Sequence, residues 1–443
     1  MSRSDDSTLS VAAAAQPTRP GRVLAWALWD WGSSAYSTIV VTFVIAPYLT
    51  EDVAAGAPPG SLSGATWLSI ALAAAGLLIA LLAPVVGQRA DAGGRRKLNL
   101  ALWSGLTVLA AAGLFLVRDE YSHLWLGLVL MSAGSVFFEF AGVSYNAMLR
   151  QVSTPASIGR VSGIGWAAGY VGGIGVLLAS YLMFIQPEVG LFGVTADGGL
   201  KYRVLALVTA IWFAVWSVPV LVAVPELPPT DRSARVGLLA SYGVLLRQLR
   251  ELFRADRHTV WFLLASAVFR DGLAAVFAFG AVLARSVYGL TAGEVIIFGV
   301  AANVVAAAGA FTAGFLEDKV GPKLIILVSL GGLITSAVVL LFSHGSTPFW
   351  IFGLLLCLWV GPAQSSSRTY LARLSPAGHE GQMFGLYATT GRAVSFLAPG
   401  LFGLFAGAFA SDRMGIIGIG LVLLAGAVAL IPVRRPPNEV RPG

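Results

Sequence analysis

Residues Phe137–Gly175 read FFEFAGVSYNAMLRQVSTPASIGRVSGIGWAAGYVGGIG. Two apolar runs, each long enough to cross a bilayer, flank a short polar link that holds Arg150 and Arg160. One run carries an acid, Glu139. The stretch recurs 222 positions along. Leu149, Ser153, Gly159, Gly163 and Gly169 align without a gap on Leu371, Ser375, Gly381, Gly385 and Gly391. In that register Asn146 meets Arg368 and Tyr170 meets Arg392. A match near half the chain length implies two similar halves in the same order, the parallel repeat of a membrane transporter.

Composition agrees. The 443 residues are 57% apolar and 12% charged, and mean hydropathy is +0.79. Soluble domains carry about 25% charged residues, so this composition excludes them. The net charge of +7 does not point to nucleic acid. The basic residues sit in short links between apolar runs, where membrane topology places them. Cys357 is the sole cysteine, which leaves no disulfide framework and no cysteine metal site.

Apolar runs recur about twelve times. They fall near 22–49, 63–86, 98–117, 122–149, 160–185 and 201–224, then near 258–285, 291–315, 322–343, 348–371, 381–408 and 412–433. The expected fold is an all-α membrane protein with twelve transmembrane helices in two parallel six-helix halves. The halves cover 22–224 and 258–433, with tails at 1–21 and 434–443. With the N-terminus inside, inner links hold about 21 Lys and Arg and outer links about 5. Both termini are therefore expected in the cytoplasm. Residues 225–257 form the linker between halves. In it Leu238, Leu239, Tyr242, Leu245, Leu246, Leu249, Leu252 and Phe253 repeat at helical spacing opposite Arg247, Arg250 and Arg254. That pattern predicts an amphipathic helix on the inner membrane surface.

The link Gly87–Lys97, GQRADAGGRRK, has a counterpart in Gly314–Lys323, GFLEDKVGPK. Gly87, Asp91 and Gly94 match Gly314, Asp318 and Gly321. Glycine permits a tight turn and close helix approach, and Asp can cap a helix or pair with a cation such as Arg95. These links resemble the signature loop of the major facilitator superfamily, which implies a gating role. Ala92 and Lys319 stand where that loop usually has Arg.

A narrower resemblance spans nearly the whole chain. WALWDWGSSAY, Trp26–Tyr36, is similar to the first-span motif of the vacuolar amino-acid effluxer family, the autophagy-related branch with many bacterial members. FRDG at 269–272, SRTYLARL at 367–374 and FGLYATTGRAVSFLAP at 384–399 also resemble that family. Arg150 and Gln151 replace its usual Pro-acid pair, and Arg392 stands where Lys is common. The resemblance implies a secondary transporter that exports amino acids or similar small solutes. It would be a monomer in a bacterial plasma membrane, without a cofactor.

A charge near the bilayer centre costs about 2.5–3.5 kcal/mol, so intramembrane charges face one another or a wet cavity. Asp30, Glu139, Arg270, Asp271 and Arg392 fall inside predicted spans. Ser132, Ser135, Glu139, Gly142 and Asn146 share one helix face, as do Asp30, Ser34 and Ser37. We take Asp30, Trp31, Ser34, Glu139, Asn146, Arg270, Asp271 and Arg392 as candidate substrate contacts. Asp30, Glu139 and Asp271 are the candidate proton carriers, because a carboxylate removed from water accepts a proton more readily. Trp166, Asn303 and Gln364 are further cavity candidates. Arg368, near the inner end of its span, reads as a surface anchor at least as well as a cavity residue.

Gly165, Gly169 and Gly173 recur every fourth residue, a spacing for close helix contact. The resemblance implies that their span packs on the eighth across the two halves. The four histidines lack metal-ligand spacing, and no nucleophile elbow or phosphate-cradling loop occurs. An enzyme is thereby disfavoured. The competing reading is a proton-coupled exporter of drugs or other organic compounds.

Overall fold

The computed structural model describes residues 19–226, 242–243, 247, 250–251, 254 and 256–436. Among the described residues, twelve helices are long and apolar enough to cross a bilayer. The first six, spans 1 to 6, are Pro20–Gly56, Gly64–Ala92, Arg96–Leu116, Tyr121–Ala147, Ile158–Ile185 and Asp197–Ala223. Spans 7 to 12 are Arg257–Ser286, Gly293–Val320, Pro322–Phe342, Ser346–Leu374, Glu380–Ala408 and Asp412–Leu430. Most of the apolar face expected of the linker lies outside the described residues. Tyr242 is described, and its hydroxyl donates to the Leu81 carbonyl of span 2 at 2.8 Å.

Two expected links are shorter than the sequence suggested. Span 2 stays helical through Asp91 to Ala92, and span 8 through Asp318 to Val320. Only Gly93–Arg95 and Gly321 separate these helices from the next. The reversals rest on left-handed glycines, Gly94 at φ 59° and Gly321 at φ 85°, where an L side chain would be strained. The Asp residues are therefore end-of-helix groups pointed at neighbouring helices.

Two spans are broken, each just before a proline. Span 1 passes through a π-helical stretch, Tyr36–Phe43, and restarts at Ile45. Span 11 stops at Val394 and restarts at Leu397. Pro47 and Pro399 sit at the third positions of the restarted helices. A proline ring clashes with the carbonyl four residues back, here Phe43 and Ser395, which is where each helix opens.

The two halves meet through span 2 against span 11 and span 5 against span 8. Chain parity places the C-terminal ends of spans 2 and 8 and the N-terminal ends of spans 5 and 11 on the side that carries both termini. On that side the backbones touch. A Cβ on Gly87 would collide with the Gly381 carbonyl, one on Gly385 with the Ala83 carbonyl, and one on Gly163 with the Ala310 carbonyl. On the far side an apolar crevice of about 270 Å³ separates span 5 from span 8, between Leu177, Tyr181, Val295 and Gly299. The bundle is closed at the terminus side and parted at the other.

Spans 5 and 8 meet through Gly159, Gly163 and Gly314. Span 5 thus packs on span 8 as expected, while the close helix contact expected of Gly165, Gly169 and Gly173 is made with span 1, against Asp30, Ser34 and Thr38. Gly163 and Gly165 are two residues apart, about 200° around a helix, so they meet different neighbours.

Candidate transport cavity

A cavity of about 430 Å³ lies between the halves. Its wall includes Asp30, Ser34, Glu139, Asn146, Arg270 and Arg368, with Trp166, Asn303 and Gln364. Aromatic side chains supply much of the rest: Trp29, Phe138, Tyr145, Tyr170, Phe384 and Tyr387.

Asp30 and Arg368 form its floor. The Arg368 guanidinium donates to Asp30 Oδ2 at 3.2 Å and to Asn146 Oδ1 at 3.3 Å. It also donates to the Ser162 hydroxyl at 2.9 Å and the Ser162 carbonyl at 2.7 Å. The Tyr145 hydroxyl donates to the same Asp30 oxygen at 2.7 Å. Arg368 belongs to the second half and its three partner residues, Asp30, Asn146 and Ser162, to the first. It is buried, at 4% exposure, so the anchor reading is corrected: this cation joins the halves. Tyr145 was not singled out as a site residue. It stacks between Trp26 and Trp29 at 4.4 and 4.2 Å, which fixes its ring and aims the hydroxyl. Gly165 opens the space, since a Cβ there would lie 2.7 Å from Asp30 Oδ2 and 2.9 Å from Arg368 Nη2.

Glu139 pairs with Arg392 at 2.8 Å, again across the halves. The pair is half-exposed, and Arg392 reaches the cavity through Glu139 without lining it. Arg270 lies over the Tyr387 ring, 3.5 Å from its centroid, and donates to the Tyr387 carbonyl at 3.2 Å. The Tyr387 hydroxyl in turn shares a 2.6 Å hydrogen bond with Ser367.

Besides Arg392, two candidates lie outside the cavity wall. Trp31 points to span 6, where its ring meets Trp212 and Trp216 at 6.1 and 6.2 Å. Successive helix positions differ by about 100°, so Asp30 and Trp31 cannot share a face. Asp271 is buried and accepts from the Ala398 N–H at 2.7 Å. It caps the restarted segment of span 11 and satisfies a donor that the break leaves open. That position corrects the expectation of an acid facing solute.

The signature links form a second polar zone on the terminus side. Asp91 accepts from the Gln382 N–H at 2.9 Å, at the start of span 11. Asp318 accepts from the Gly159 and Arg160 N–H groups at 2.8 and 3.2 Å, at the start of span 5. Each half thus caps a helix of the other, and each acid sits at the positive end of a helix dipole. The ion pair of this zone falls on Arg96. Arg95 is exposed, whereas the buried Arg96 bridges Asp91 at 2.6 Å and Glu380 at 2.5 Å. Arg150 extends the network to Glu380 at 3.2 Å and the Ser375 carbonyl at 2.8 Å. Arg95 precedes the helix and Arg96 opens span 3, so only the second is carried inward. Glu317, also not singled out, is buried beside Asp318 and accepts from Ser366 at 2.6 Å and Thr369 at 2.5 Å.

Comparison with known proteins agrees with this geometry. A family model described as "Vacuole effluxer Atg22 like" matches residues 149–438. The uncharacterized MFS-type transporter YxiO of Bacillus subtilis is 25% identical over 408 residues, covering 91% of this chain and 93% of that protein. Autophagy-related protein 22 of Cryptococcus neoformans is 27% identical over 300 residues, covering 62% of this chain and 52% of that protein. The chain spans about half the length of that fungal relative. Among solved structures, the proton:xylose symporter XylE superposes with a TM-score of 0.74 at 11% identity, covering 95% of this chain and 96% of that one. The transporter FucP in its outward conformation gives 0.70 at 14% identity, covering 93% and 97%. At such identities the likeness concerns the fold, which is that of the major facilitator superfamily.

Proposed function

Because this chain belongs to the Atg22-like vacuole effluxer family, within the major facilitator transporters, we propose that it moves amino acids or related small polar solutes through the cavity above Asp30 and Arg368. The observation that carries this reading is the ion pair itself: a partly buried acid and a buried cation, one from each half, meet at the floor of a chamber large enough for a small solute. Charges held there at a cost of several kcal/mol are usually functional. Alternating access follows from the fold, with the halves rocking about the midplane site. The observed form is parted on the far side, and the next step closes the crevice between spans 5 and 8 and opens the seam at Asp91 and Asp318.

Orientation follows the Lys and Arg bias, so the terminus side is cytoplasmic and the observed cavity faces outward. The membrane is a bacterial plasma membrane and the working unit a monomer of residues 22–224 and 258–433 joined by the 225–257 linker. Proton coupling would run through Asp30 or Glu139, the two carboxylates on the cavity wall. The aromatic lining favours a second reading, export of larger organic compounds.

Counterflow with purified protein in liposomes separates these. The vesicles hold unlabelled amino acids, labelled ones are added outside, and a proton gradient is present or absent. Uptake above empty vesicles is expected, with loss in the Asp30→Ala variant. No amino-acid uptake by folded protein overturns the amino-acid reading in favour of organic compounds.

A further inference from the structure

Spans 1 and 7 carry equivalent tetrapeptides, Trp29-Asp30-Trp31-Gly32 and Phe269-Arg270-Asp271-Gly272. The structure places the glycines alike. A Cβ on Gly32 would strike Trp216 of span 6 and one on Gly272 would strike Leu423 of span 12. Asp30 and Arg270 are therefore counterparts in the two halves. Each is given room by a glycine of a matched helix, Asp30 by Gly165 of span 5 and Arg270 by Gly391 of span 11. A Cβ on Gly391 would collide with the Arg270 guanidinium.

The counterparts differ in how their charge is met. Asp30 is paired with Arg368, and Glu139 with Arg392. Among the described residues Arg270 has no carboxylate partner; its contacts are the Tyr387 carbonyl and ring. The neighbouring acid, Asp271, is turned away to the Ala398 N–H. Four charged residues line the cavity, two acids and two arginines, and Arg392 adds a cation through Glu139. The site thus holds one positive charge in excess, on a guanidinium with donors to spare and a planar fork suited to carboxylate.

We propose that Arg270 is the anchor for an anionic group, a carboxylate, and that no acid in the cavity is free for a substrate ammonium. The solute class is then organic anions and carboxylate-bearing solutes with or without an amino group, their bodies packed on the aromatic wall. This rests on the transport reading above and narrows it. An amino acid is accepted for its carboxylate, and its deaminated analogue is accepted as well. An amine of the same shape is refused, because its charge would face Arg270 uncompensated.

Two experiments test the assignment. The first needs no substrate. In a Cys357→Ser background, Ser34→Cys puts one thiol on the cavity wall. Its modification rates by anionic sulfonatoethyl and cationic trimethylammonioethyl methanethiosulfonate are compared with those of a free thiol. The anionic reagent should be favoured, and Arg270→Gln should shift the rate ratio roughly tenfold toward the cation. Arg270→Lys should keep the anionic preference. An unchanged ratio in Arg270→Gln overturns the charge assignment, whether or not the protein transports anything.

The second is binding to purified protein of matched sets: 3-phenylpropionate, phenylalanine and 2-phenylethylamine, and 4-methylpentanoate, leucine and isoamylamine. Carboxylates and amino acids should bind alike, amines not, and Gly391→Leu should abolish binding by displacing the guanidinium. Amines binding in place of carboxylates overturns the inference while leaving transport intact. No binding by any of the six, together with silent counterflow, overturns the transport reading for this solute class and the inference with it.

Discussion

Asp30 of span 1 and Arg368 of span 10 form an ion pair of 3.2 Å that ties the two halves at the cavity floor. Asp30 keeps 18% side-chain exposure and Arg368 5%. Breaking such a pair from one side leaves a buried charge without a countercharge. Asp30→Asn should therefore destabilise the protein by about 3–5 kcal/mol. The double variant Asp30→Asn, Arg368→Gln should recover part of that loss. Thermal unfolding of the four proteins in detergent gives the cycle; additive losses would dismiss the coupling.

Glu139 and Arg392 supply the contrast. Their side chains are 31% and 41% exposed, so water already screens the pair. Glu139→Gln should cost about 0–1 kcal/mol in the same unfolding measurement. A loss as large as that of Asp30→Asn would show that the pair is held in a dry environment.

Asp91 and Asp318 cap equivalent helices, but only Asp91 also neutralises Arg96. Asp318→Asn should weaken the terminus-side seam by about 1 kcal/mol, the usual worth of a charge at a helix start. Asp91→Asn should weaken it more, because Arg96 loses one of its two carboxylate partners. Hydrogen exchange at the first turns of spans 5 and 11 reads both effects. Faster exchange should appear at span 5 for one variant and at span 11 for the other. Equal protection in both would argue against the caps.

Gly87 leaves no room for a side chain against span 11. Gly87→Val should part spans 2 and 11 on the terminus side and shift the protein away from the form described above. Hydrogen exchange over residues 381–387 should rise while that of span 12 stays constant. Exchange unchanged at 381–387 would mean that the seam absorbs the added carbons without opening.

Asp271 is a cap, so its substitutions should sort by hydrogen bonding. Asp271→Asn keeps an acceptor for the Ala398 N–H and should cost little. Asp271→Ala leaves that donor open at a buried break and should cost about 1–3 kcal/mol. Solute affinity in Asp271→Asn should stay near that of the unaltered protein. A large affinity loss in Asp271→Asn would return this acid to the cavity.

The repeat of Leu149–Gly169 in Leu371–Gly391, the twelve apolar runs and the biased Lys and Arg were all legible in sequence, and they determined the fold. Hydrophobic length and repeat register are one-dimensional quantities, so a bilayer reads them as a sequence does. Which acid meets which cation is a different kind of quantity. Asp30 and Arg368 lie 338 positions apart and are joined only when span 1 meets span 10. Asp271 sits beside Arg270 in sequence, yet helix rotation turns one to the cavity and the other to the break in span 11. Arg95 and Arg96 are neighbours of one type, and the turn at Gly94 leaves the first in solvent and buries the second. The sequence by itself determined how many helices cross the membrane and which charges they carry inside. Only the tertiary structure decided how those charges pair, because pairing depends on helix rotation and on contacts between halves that no local pattern encodes.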